Sequence, residues 1–155
     1  MNAKKLSFLL LILVAVACTN RSTSSEQDEM RHWNNVLQQI NALLLENKAR
    51  QTLDLAKQTL PEILESAEKN GTTDTLIYYA RKIFNACGNN YINTKQYKDG
   101  IDYMDSIGNH PLIREHCPHE LLSFKARLNQ MYGNNPEAVR LAEDYLPLPV
   151  CTRAN

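Results

Sequence analysis

Apolar residues recur every three or four positions through most of the chain, and this spacing constrains the fold more than any other feature of the sequence. Residues at such steps lie on one face of an α-helix. No stretch alternates apolar and polar residues over the length of a β-strand. The periodicity therefore predicts an all-α fold. The first apolar stripe comprises Met30, Trp33, Leu37, Ile40 and Leu44.

Five further stripes follow the first, and short polar turns separate most of them. Helices joined by short turns normally pack as antiparallel neighbours. The sequence therefore predicts three antiparallel helix pairs. The five later stripes run from Ala49 to Ala67, from Ile77 to Tyr91, from Tyr97 to Ile107, from Leu121 to Tyr132 and from Ala138 to Leu146.

Local signals refine the predicted helix ends. Pro61 lies inside the second stripe, where it removes a backbone donor and clashes with the preceding turn, so we expect a kink or a break near Leu60. Asp74 is the candidate N-cap of the third helix. The fifth helix is expected to begin at about Pro118, because proline is tolerated in a first turn. Turns are predicted at 47–48, 70–74, 108–111 and 133–135.

The stretch GNNYINTKQYKDGIDYMDSI, from Gly88 to Ile107, resembles the tetratricopeptide repeat. That family places a large residue, a leucine, a glycine and a tyrosine on its first helix, and a small residue and an aromatic residue on its second. The resemblance implies that Gly88 and Gly100 let two helices approach closely while larger side chains fill the space around them. The matching positions are Phe84, Cys87, Gly88, Tyr91, Tyr97, Gly100 and Met104.

A second unit is similar to the turn and second helix of this repeat. YGNNPEAVRLAEDYL, from Tyr132 to Leu146, has Gly133 at the turn and Ala138 at the small position. In its first helix, Lys125 and Ala126 stand where the family has leucine and glycine.

The segment TLDLAKQTLP, from Thr52 to Pro61, parallels AVRLAEDYLP, from Ala138 to Pro147. Gly100 lies 48 positions after Thr52 and 38 positions before Ala138, whereas the family period is about 34 residues. The resemblance therefore implies a short tetratricopeptide-like α-solenoid with irregular loops. The alternative is a generic helical bundle with chance similarity.

A narrower resemblance covers Tyr103 to Leu146, which is similar to the helical-repeat periplasmic part of some membrane sensor histidine kinases. Those proteins continue through further repeats, a membrane helix and a kinase domain. Terminal repeats of a stack normally carry a polar capping helix, and none follows Leu146 in the printed sequence. The resemblance implies a shortened relative, or a chain whose last helix pair needs a partner to cover it.

The chain begins MNAKKLSFLLLILVAVACTN, which has the pattern of a secretory signal peptide: two lysines, an apolar run from Leu6 to Ala17, and small residues before Cys18. The run is too short to span a bilayer, which takes about 20 residues. The segment resembles a bacterial lipoprotein lipobox, although Ala15 stands where leucine is commonest. The resemblance implies cleavage before Cys18 and its acylation. The alternative is an ordinary secretory signal with a chance cysteine.

Four regions are predicted along the chain: a signal peptide at 1–17, a flexible tether at 18–29, a helical-repeat domain at 30–147 and a C-terminal tail at 148–155. The tether is polar and rich in Ser and Thr, so it has little apolar surface with which to offset its ordering entropy. We expect the protein in the cell envelope of a Gram-negative bacterium, as a membrane-anchored lipoprotein facing the periplasm or the exterior.

The charges balance at 17 basic and 17 acidic residues, and they become 15 and 17 without Lys4 and Lys5. A protein that binds nucleic acid normally carries a basic face, so we expect no nucleic-acid partner. No later stretch is apolar and long enough to cross a membrane, so we expect membrane attachment only through the lipid.

Three cysteines follow Cys18, and outside the cytoplasm a disulfide can form between two of them. Cys87 falls on a helical apolar stripe and is predicted to be a buried thiol. That leaves Cys117 and Cys151 as the favoured pair, although their spacing does not exclude the other pairings.

The segment Glu115 to Glu120, EHCPHE, contains residue types that bind metals. We favour the interpretation as a helix start, in which Pro118 opens the helix and Glu120 complements its dipole. Zinc is the alternative, with His110 as the only nearby additional ligand. We expect no metal site and no cofactor.

No nucleophile–base arrangement and no phosphate-binding loop is evident in the sequence, so we expect no catalytic residues and no enzyme activity. Tyr78 and Tyr103 lie off the main stripes and are candidate exposed anchors for a partner. Taken together, these features predict a protein-interaction module for an unidentified protein or peptide. The alternative function is a truncated periplasmic sensor region related to two-component histidine kinases.

Overall fold

A computed structural model describes residues 27–145, of which 88% are helical and none belongs to a β-strand. The prediction of an all-α fold is confirmed. The predicted signal peptide, the predicted lipidation site Cys18, most of the predicted tether and the predicted C-terminal tail lie outside the described residues. The chain divides into two compact units, Met1–Asn35 and Val36–Asn155.

Seven helices are described. In the first unit, residues 27–35 are helical, and Arg31 forms an exposed ion pair with Asp28 at 3.7 Å. All the other packing described below lies within the second unit. The helices are α1 (27–45), α2 (Ala49–Asn70), α3 (Asp74–Asn93), α4 (Tyr97–Gly108), α5 (Pro111–His116), α6 (Pro118–Tyr132) and α7 (Asn135–Tyr145).

Three turns, between α1 and α2, α3 and α4, and α6 and α7, have the same backbone geometry. In each, a residue with positive φ follows the helix, and the N–H of the next residue donates to the carbonyl oxygen five positions earlier, as in a Schellman motif. The positive-φ residues are Asn47 (57°), Lys95 (59°) and Gly133 (93°). The donor and acceptor pairs are Lys48 with Leu43 (2.9 Å), Gln96 with Tyr91 (3.0 Å) and Asn134 with Asn129 (2.8 Å).

These turns recur at the spacing that the sequence indicated. Lys95 lies 48 positions after Asn47 and 38 positions before Gly133. The same two intervals separate Thr52, Gly100 and Ala138. The backbone N–H of each of these residues donates to the carbonyl oxygen of the residue that directly follows the positive-φ residue, which is Lys48, Gln96 or Asn134. The three turns therefore mark structurally equivalent positions in three helix–turn–helix segments.

The core of the second unit lies where α3, α4 and α6 meet. α3 packs against α2, α4, α5 and α6, and α6 also packs against α4, α5 and α7. The rings of Phe84 on α3 and Phe124 on α6 meet edge to face, with centroids 5.7 Å apart. Burial of such large apolar side chains contributes about 1.5–3 kcal/mol each. Core side chains that are almost fully buried include Leu53, Leu60, Ile63, Ile83, Phe84, Tyr91, Met104, Ile113 and Leu128.

Three glycines on α3 and α4 form a seam that receives the side chains of α6. We call this set the glycine seam. A Cβ added to any of these glycines would lie closer to an α6 side chain than real Cβ atoms do, so a side chain of α6 would have to shift, and at Gly88 it would be the aromatic ring of Phe124. The distances from the added Cβ are 2.5 Å from Gly88 to ring atoms of Phe124, 2.9 Å from Gly100 to Leu128 Cδ2, and 2.9 Å from Gly108 to Leu121 Cδ2.

The neighbour of Gly88 in the structure differs from the one that we expected. We expected Gly88 to let its own helix approach the helix that carries Gly100. Its closest neighbour is instead the ring of Phe124 on α6, whereas Gly100 does lie against α3, where an added Cβ would be 3.0 Å from the Cβ of Tyr91. Phe124 was not among the predicted core residues, although it lies three positions after Leu121 and four positions before Leu128 and so shares their helix face.

Of the kink or break predicted near Leu60, the break is wrong, because α2 continues through Pro61 to Asn70. Proline in a helix interior costs about 3 kcal/mol. Leu60, Ile63 and Leu64 flank Pro61 and are buried, and each contributes about 1.5–3 kcal/mol, so their burial outweighs the cost.

Two further helix ends differ from the predictions. Thr73, rather than Asp74, is the N-cap of α3, and its hydroxyl oxygen accepts from the N–H of Leu76 at 3.2 Å. The short helix α5 was missed because Pro111 was interpreted only as a break. The ring nitrogen Nδ1 of His110 caps α5 by accepting from the N–H of Leu112 at 3.2 Å.

Several stripe positions are less buried than predicted. On α1, Val36 is buried and Leu37 is half-buried, while Leu44 is exposed. On α6, Met131 and Tyr132 are both exposed at its C-terminal end. A period of 3.6 residues identifies the buried face but not its edges, since the width of that face depends on which helices cover it.

We predict that Gly88→Ala destabilises the protein by about 1–2 kcal/mol. The added methyl would overlap the Phe124 ring, and overpacking costs about 1–3 kcal/mol, which exceeds the gain of about 1 kcal/mol in helix propensity. The free energy of unfolding in urea measures the change. The matched control is Asn89→Ala at the exposed neighbouring position, which should not reduce stability. A Gly88→Ala variant as stable as its parent would contradict the close approach of α6.

Candidate functional site: a groove between α6 and α7

The site is built on α6 and α7, which pack against each other over most of their lengths. α6 begins with Pro118, whose missing N–H is not needed in a first turn. It ends at Gly133, whose left-handed φ of 93° suits a residue without a Cβ. Phe124 and Leu128 hold one face of α6 in the core and leave another face open to solvent.

Two asparagines fix the angle of the turn between α6 and α7. The side-chain amide of Asn134 donates to Oδ1 of Asn129 at 3.0 Å. Asn129 is almost fully buried, and its own amide nitrogen donates to the carbonyl oxygen of Lys125 at 2.9 Å. Since buried polar groups are costly when unpaired, this network holds the turn in one conformation.

The outer face of α7 carries a chain of ion pairs. Arg140 donates to Glu137 at 2.8 and 2.6 Å and to Asp144 at 2.7 Å. These hydrogen bonds hold the pKa of the Glu137 carboxyl below its usual value. Arg140 and Asp144 are exposed and Glu137 is half-buried at the surface, so solvent screens the pairs and they add little to stability. They pair three of the charged side chains of α7 with one another, and Glu143 is not among them.

An open groove of about 440 Å³ lies between α6 and α7. Most of its lining is apolar or small, and Val139 is 57% exposed within it. A concave, mostly apolar surface with a few polar groups is the usual form of a binding site. We call it the α6–α7 groove. Its lining comprises Leu122, Ser123, Ala126, Arg127 and Gln130 of α6 and Asn135, Ala138, Val139 and Ala142 of α7.

The groove offers contact surface and hydrogen bonding. Alanines at 126, 138 and 142 leave room for large side chains of a ligand. Ser123, Gln130 and Asn135 supply neutral donors and acceptors. Arg127 is the one charged side chain in the lining, and it forms no ion pair with any residue between 27 and 145. A ligand that fits this surface is therefore apolar over most of its contact area.

The predicted repeat-packing residues occupy three different environments. Phe84, Gly88, Tyr91 and Gly100 meet in the core around the glycine seam. Gly133 ends α6 and Tyr97 is half-buried at the start of α4. Ala138 lies apart from these residues, at the edge of the α6–α7 groove.

The two candidate anchor tyrosines differ in exposure. Tyr78 is 53% exposed, its ring meets Tyr79 edge to face at 5.4 Å, and Nζ of Lys82 lies 5.6 Å from its centroid. Tyr103 was expected to be exposed, and this is wrong, because it is half-buried beside Tyr91, with centroids 5.4 Å apart. Neither tyrosine lines the α6–α7 groove. A role for them in partner binding stays a prediction.

Tyr103 belongs to a cluster that joins α2, α3 and α4. Nζ of Lys57 lies 5.5 Å from the ring centroid of Tyr91 and 5.8 Å from that of Tyr103, distances at which a cation is attracted to the ring face. The thiol of Cys87 donates to the hydroxyl oxygen of Tyr103, with Sγ and Oη 3.8 Å apart. Burial raises the pKa of the Tyr103 phenol and raises the pKa of the Cys87 thiol to about 12.

Both described cysteines are buried. Cys87 is fully buried on α3, as predicted. Cys117 precedes α6 and its thiol is free, with a pKa that burial raises to about 11. Cys151 lies outside the described residues, so the predicted pairing of Cys117 with Cys151 stays a prediction.

The segment from Glu115 to Glu120 turns the chain into α6. Arg81 of α3 donates to the backbone carbonyl oxygen of His116 and forms an ion pair with Glu120 at 3.2 Å. Pro118 and Glu120 lie in the first turn of α6, as expected. Between residues 27 and 145, no three His, Cys, Asp or Glu side chains are grouped so that they could bind a metal ion.

Within the described part of the chain, no helix combines the length and apolar character that crossing a membrane requires. No protein-family model matches the chain, and no curated protein or solved structure is significantly similar to it.

Sequence reasoning missed the α6–α7 groove as a site. It placed Ala138 and Ala142 on one apolar stripe, but Ala142 is exposed while Leu141 is buried. The available signal was the run of small residues at 123, 126, 138 and 142, which leaves a surface between two helices unfilled. That signal becomes a groove only when the two helices are known to pack together.

We predict that stability falls as the pH rises above about 9 because of the buried thiols. The pKa of Cys87 is raised to about 12 in the folded state, whereas an unfolded thiol titrates near about 8.5. The unfolded chain therefore loses this proton first, and alkaline pH favours unfolding. Urea unfolding at pH 8 and pH 10 measures the loss.

Cys87→Ala serves as the comparison, because it removes the titrating group. Its absolute stability differs from that of the parent, but its loss between pH 8 and pH 10 should be smaller. An equal loss in both proteins would show that Cys87 does not contribute.

Proposed function

We propose that this chain is a lipid-anchored, extracytoplasmic, tetratricopeptide-like module that binds a protein or peptide ligand and is not an enzyme. The observation that carries the proposal is the α6–α7 groove. It is open, mostly apolar and large enough for several side chains. Exposed Val139 adds apolar surface to it, and a concave, mostly apolar surface of this volume is the usual form of a binding site.

The recurrent turn supports the repeat assignment. The three turns have the same positive-φ residue and the same pair of backbone hydrogen bonds. α3 packs against α4 and against α6, and α6 packs against α4 and α7. Such contacts between neighbouring helix pairs are expected in a solenoid, where each repeat packs on the next. Short turns also favour antiparallel pairs.

The amino-terminal sequence supports the location. Two lysines, an apolar run and a cysteine after small residues match a lipoprotein signal. A single acyl chain anchors only marginally, so stable attachment of a lipoprotein takes more than one. The polar segment after Cys18 would hold the helical domain away from the membrane surface.

A second candidate is a periplasmic sensor region related to two-component histidine kinases. The resemblance that favours it covers 103–146, which includes α6, α7 and the groove between them. A sensor and a binding module would use the same groove, and they differ in what the bound ligand changes. A membrane helix and a kinase signature in a neighbouring reading frame would favour the sensor.

We predict that Cys18→Ser releases the protein from the membrane. The serine cannot form the thioether that carries the lipid, so the chain should move from the membrane fraction to the soluble fraction. Fractionation of cells with detection of the protein in each fraction measures this. A Cys151→Ser variant is the control and should stay in the membrane fraction. A Cys18→Ser protein that stays as firmly bound as its parent would place the anchor elsewhere.

We predict that a photoreactive residue in the groove captures a specific protein. Replacement of Val139 by p-benzoylphenylalanine places the reactive group in the α6–α7 groove, since this side chain is exposed there. Irradiation of intact cells, followed by mass spectrometry, should identify a cross-linked protein. The same replacement at Glu65, which is exposed on α2, is the control. No product specific to position 139 would contradict binding at the groove.

A further inference from the structure

We infer that the α6–α7 groove binds an amphipathic helix of a partner protein, which presents a phenylalanine and a leucine four positions apart and a basic residue directly after the phenylalanine. This inference rests on the proposed function and specifies the class of its ligand. It follows from the way in which α6 of this chain packs into the glycine seam.

The glycine seam shows how such a helix is accepted. Gly88 of α3 and Gly100 of α4 receive Phe124 and Leu128 of α6, which lie four positions apart on one helix face. Phe124 is 6% exposed and Leu128 is fully buried. Small residues on a helix pair therefore bind large residues of a third helix, by the insertion of ridges into a groove.

The α6–α7 groove repeats the small positions of this seam. Ala126 lies 38 positions after Gly88, and Ala138 lies 38 positions after Gly100, the same interval that separates the two equivalent turns at Lys95 and Gly133. Both alanines line the groove. The position equivalent to Gly108 is Leu146, so the inference uses two anchoring side chains and not three.

The α6–α7 pair also has an acidic residue at the position that corresponds to an acidic residue of the glycine seam. In the glycine seam, Lys125 of α6 pairs with Asp105 of α4 at 2.5 Å. Glu143 of α7 lies 38 positions after Asp105. It is exposed and forms no ion pair within residues 27–145. A basic residue directly after the phenylalanine of a bound helix would meet Glu143 as Lys125 meets Asp105.

The occupant is assigned to another protein for two reasons. A second copy of this chain cannot offer α6, because Phe124 and Leu128 are already buried in its own core. The sequence after α7 contains Pro147 and Pro149, and proline disfavours a helix interior. Neither source supplies a free helix with the required side chains.

The test uses the full mature chain and a synthetic peptide with the sequence of α6, Pro118–Tyr132. The peptide carries a hydrocarbon staple between positions 126 and 130, because an isolated helix of this length is marginal in water. These positions lie on the opposite face from Phe124. Fluorescence anisotropy should detect saturable binding. A peptide with both Phe124→Ala and Leu128→Ala should bind at least about tenfold more weakly, since two large buried side chains are lost.

Substitution in the protein locates the binding. Ala142→Trp fills the groove at an exposed lining position and should weaken peptide binding at least about tenfold. Gln58→Trp at an exposed position on α2 is the matched control and should not change it. The peptide could also bind by replacing α6 in the glycine seam. Ala142→Trp would not prevent that exchange, so weaker binding to this variant indicates binding at the α6–α7 groove.

A charge exchange tests the orientation of the bound helix. Glu143→Lys in the protein should weaken binding of the parent peptide about threefold, as expected for an exposed ion pair. A peptide with Lys125→Glu should bind this variant more tightly than it binds the parent protein. The absence of this reversal would overturn the assignment of the basic residue.

Other outcomes separate this inference from the proposed function. The assignment of a partner helix is overturned if the peptide with Phe124→Ala and Leu128→Ala binds as well as the parent peptide. It is also overturned if the peptide binds only after removal of 146–155, which would make that segment the occupant. Loss of self-association, without loss of peptide binding, in the Ala142→Trp variant would make a second copy of the chain the occupant. If the peptide fails but Val139 still cross-links a specific protein, the inference is wrong and the proposed function stands. If both fail, both are wrong.

Discussion

The insertion of α6 into the glycine seam is the interaction on which the rest of the second unit depends. Phe124 and Leu128 can reach α3 and α4 only because positions 88 and 100 have no Cβ. Cores are packed as densely as organic crystals, so a single methyl at such a contact has no free space to enter. This contact also turns the opposite face of α6 outward, where it forms one wall of the α6–α7 groove.

Polar interactions position this contact. Arg81 reaches both the carbonyl oxygen of His116 and the carboxylate of Glu120, and so joins α3 to the beginning of α6. At the other end of α6, the Asn129–Asn134 network sets the direction of α7. The same end carries Gly133, which has the left-handed conformation that Asn47 and Lys95 adopt in the two earlier turns. The three turns therefore share one backbone geometry.

The α6–α7 groove and the glycine seam have small residues at corresponding positions, and they differ in whether another helix covers those residues. Where α6 covers α3 and α4, the small residues are buried and the seam is part of the core. Where no described helix covers α6 and α7, the corresponding small residues line an open surface. In the proposed stack of helix pairs, such a surface is expected at the last pair, since each pair buries only one of its faces against its predecessor. The proposed partner helix would complete the pattern that α6 begins.

The periodicity of apolar residues was sufficient to predict the fold class and the burial of Cys87, and the polar residues between the stripes predicted the turns near 47 and 133, since these features depend on local sequence. The resemblance to the tetratricopeptide repeat singled out the small positions Gly88, Gly100 and Ala138. The tertiary structure decided which surfaces these positions face. It directed Gly88 toward Phe124, buried most of Tyr103, continued α2 through Pro61 and left the α6–α7 groove open. The reason is physical: a helical period shows which residues share a face, whereas the packing of other helices determines what covers that face.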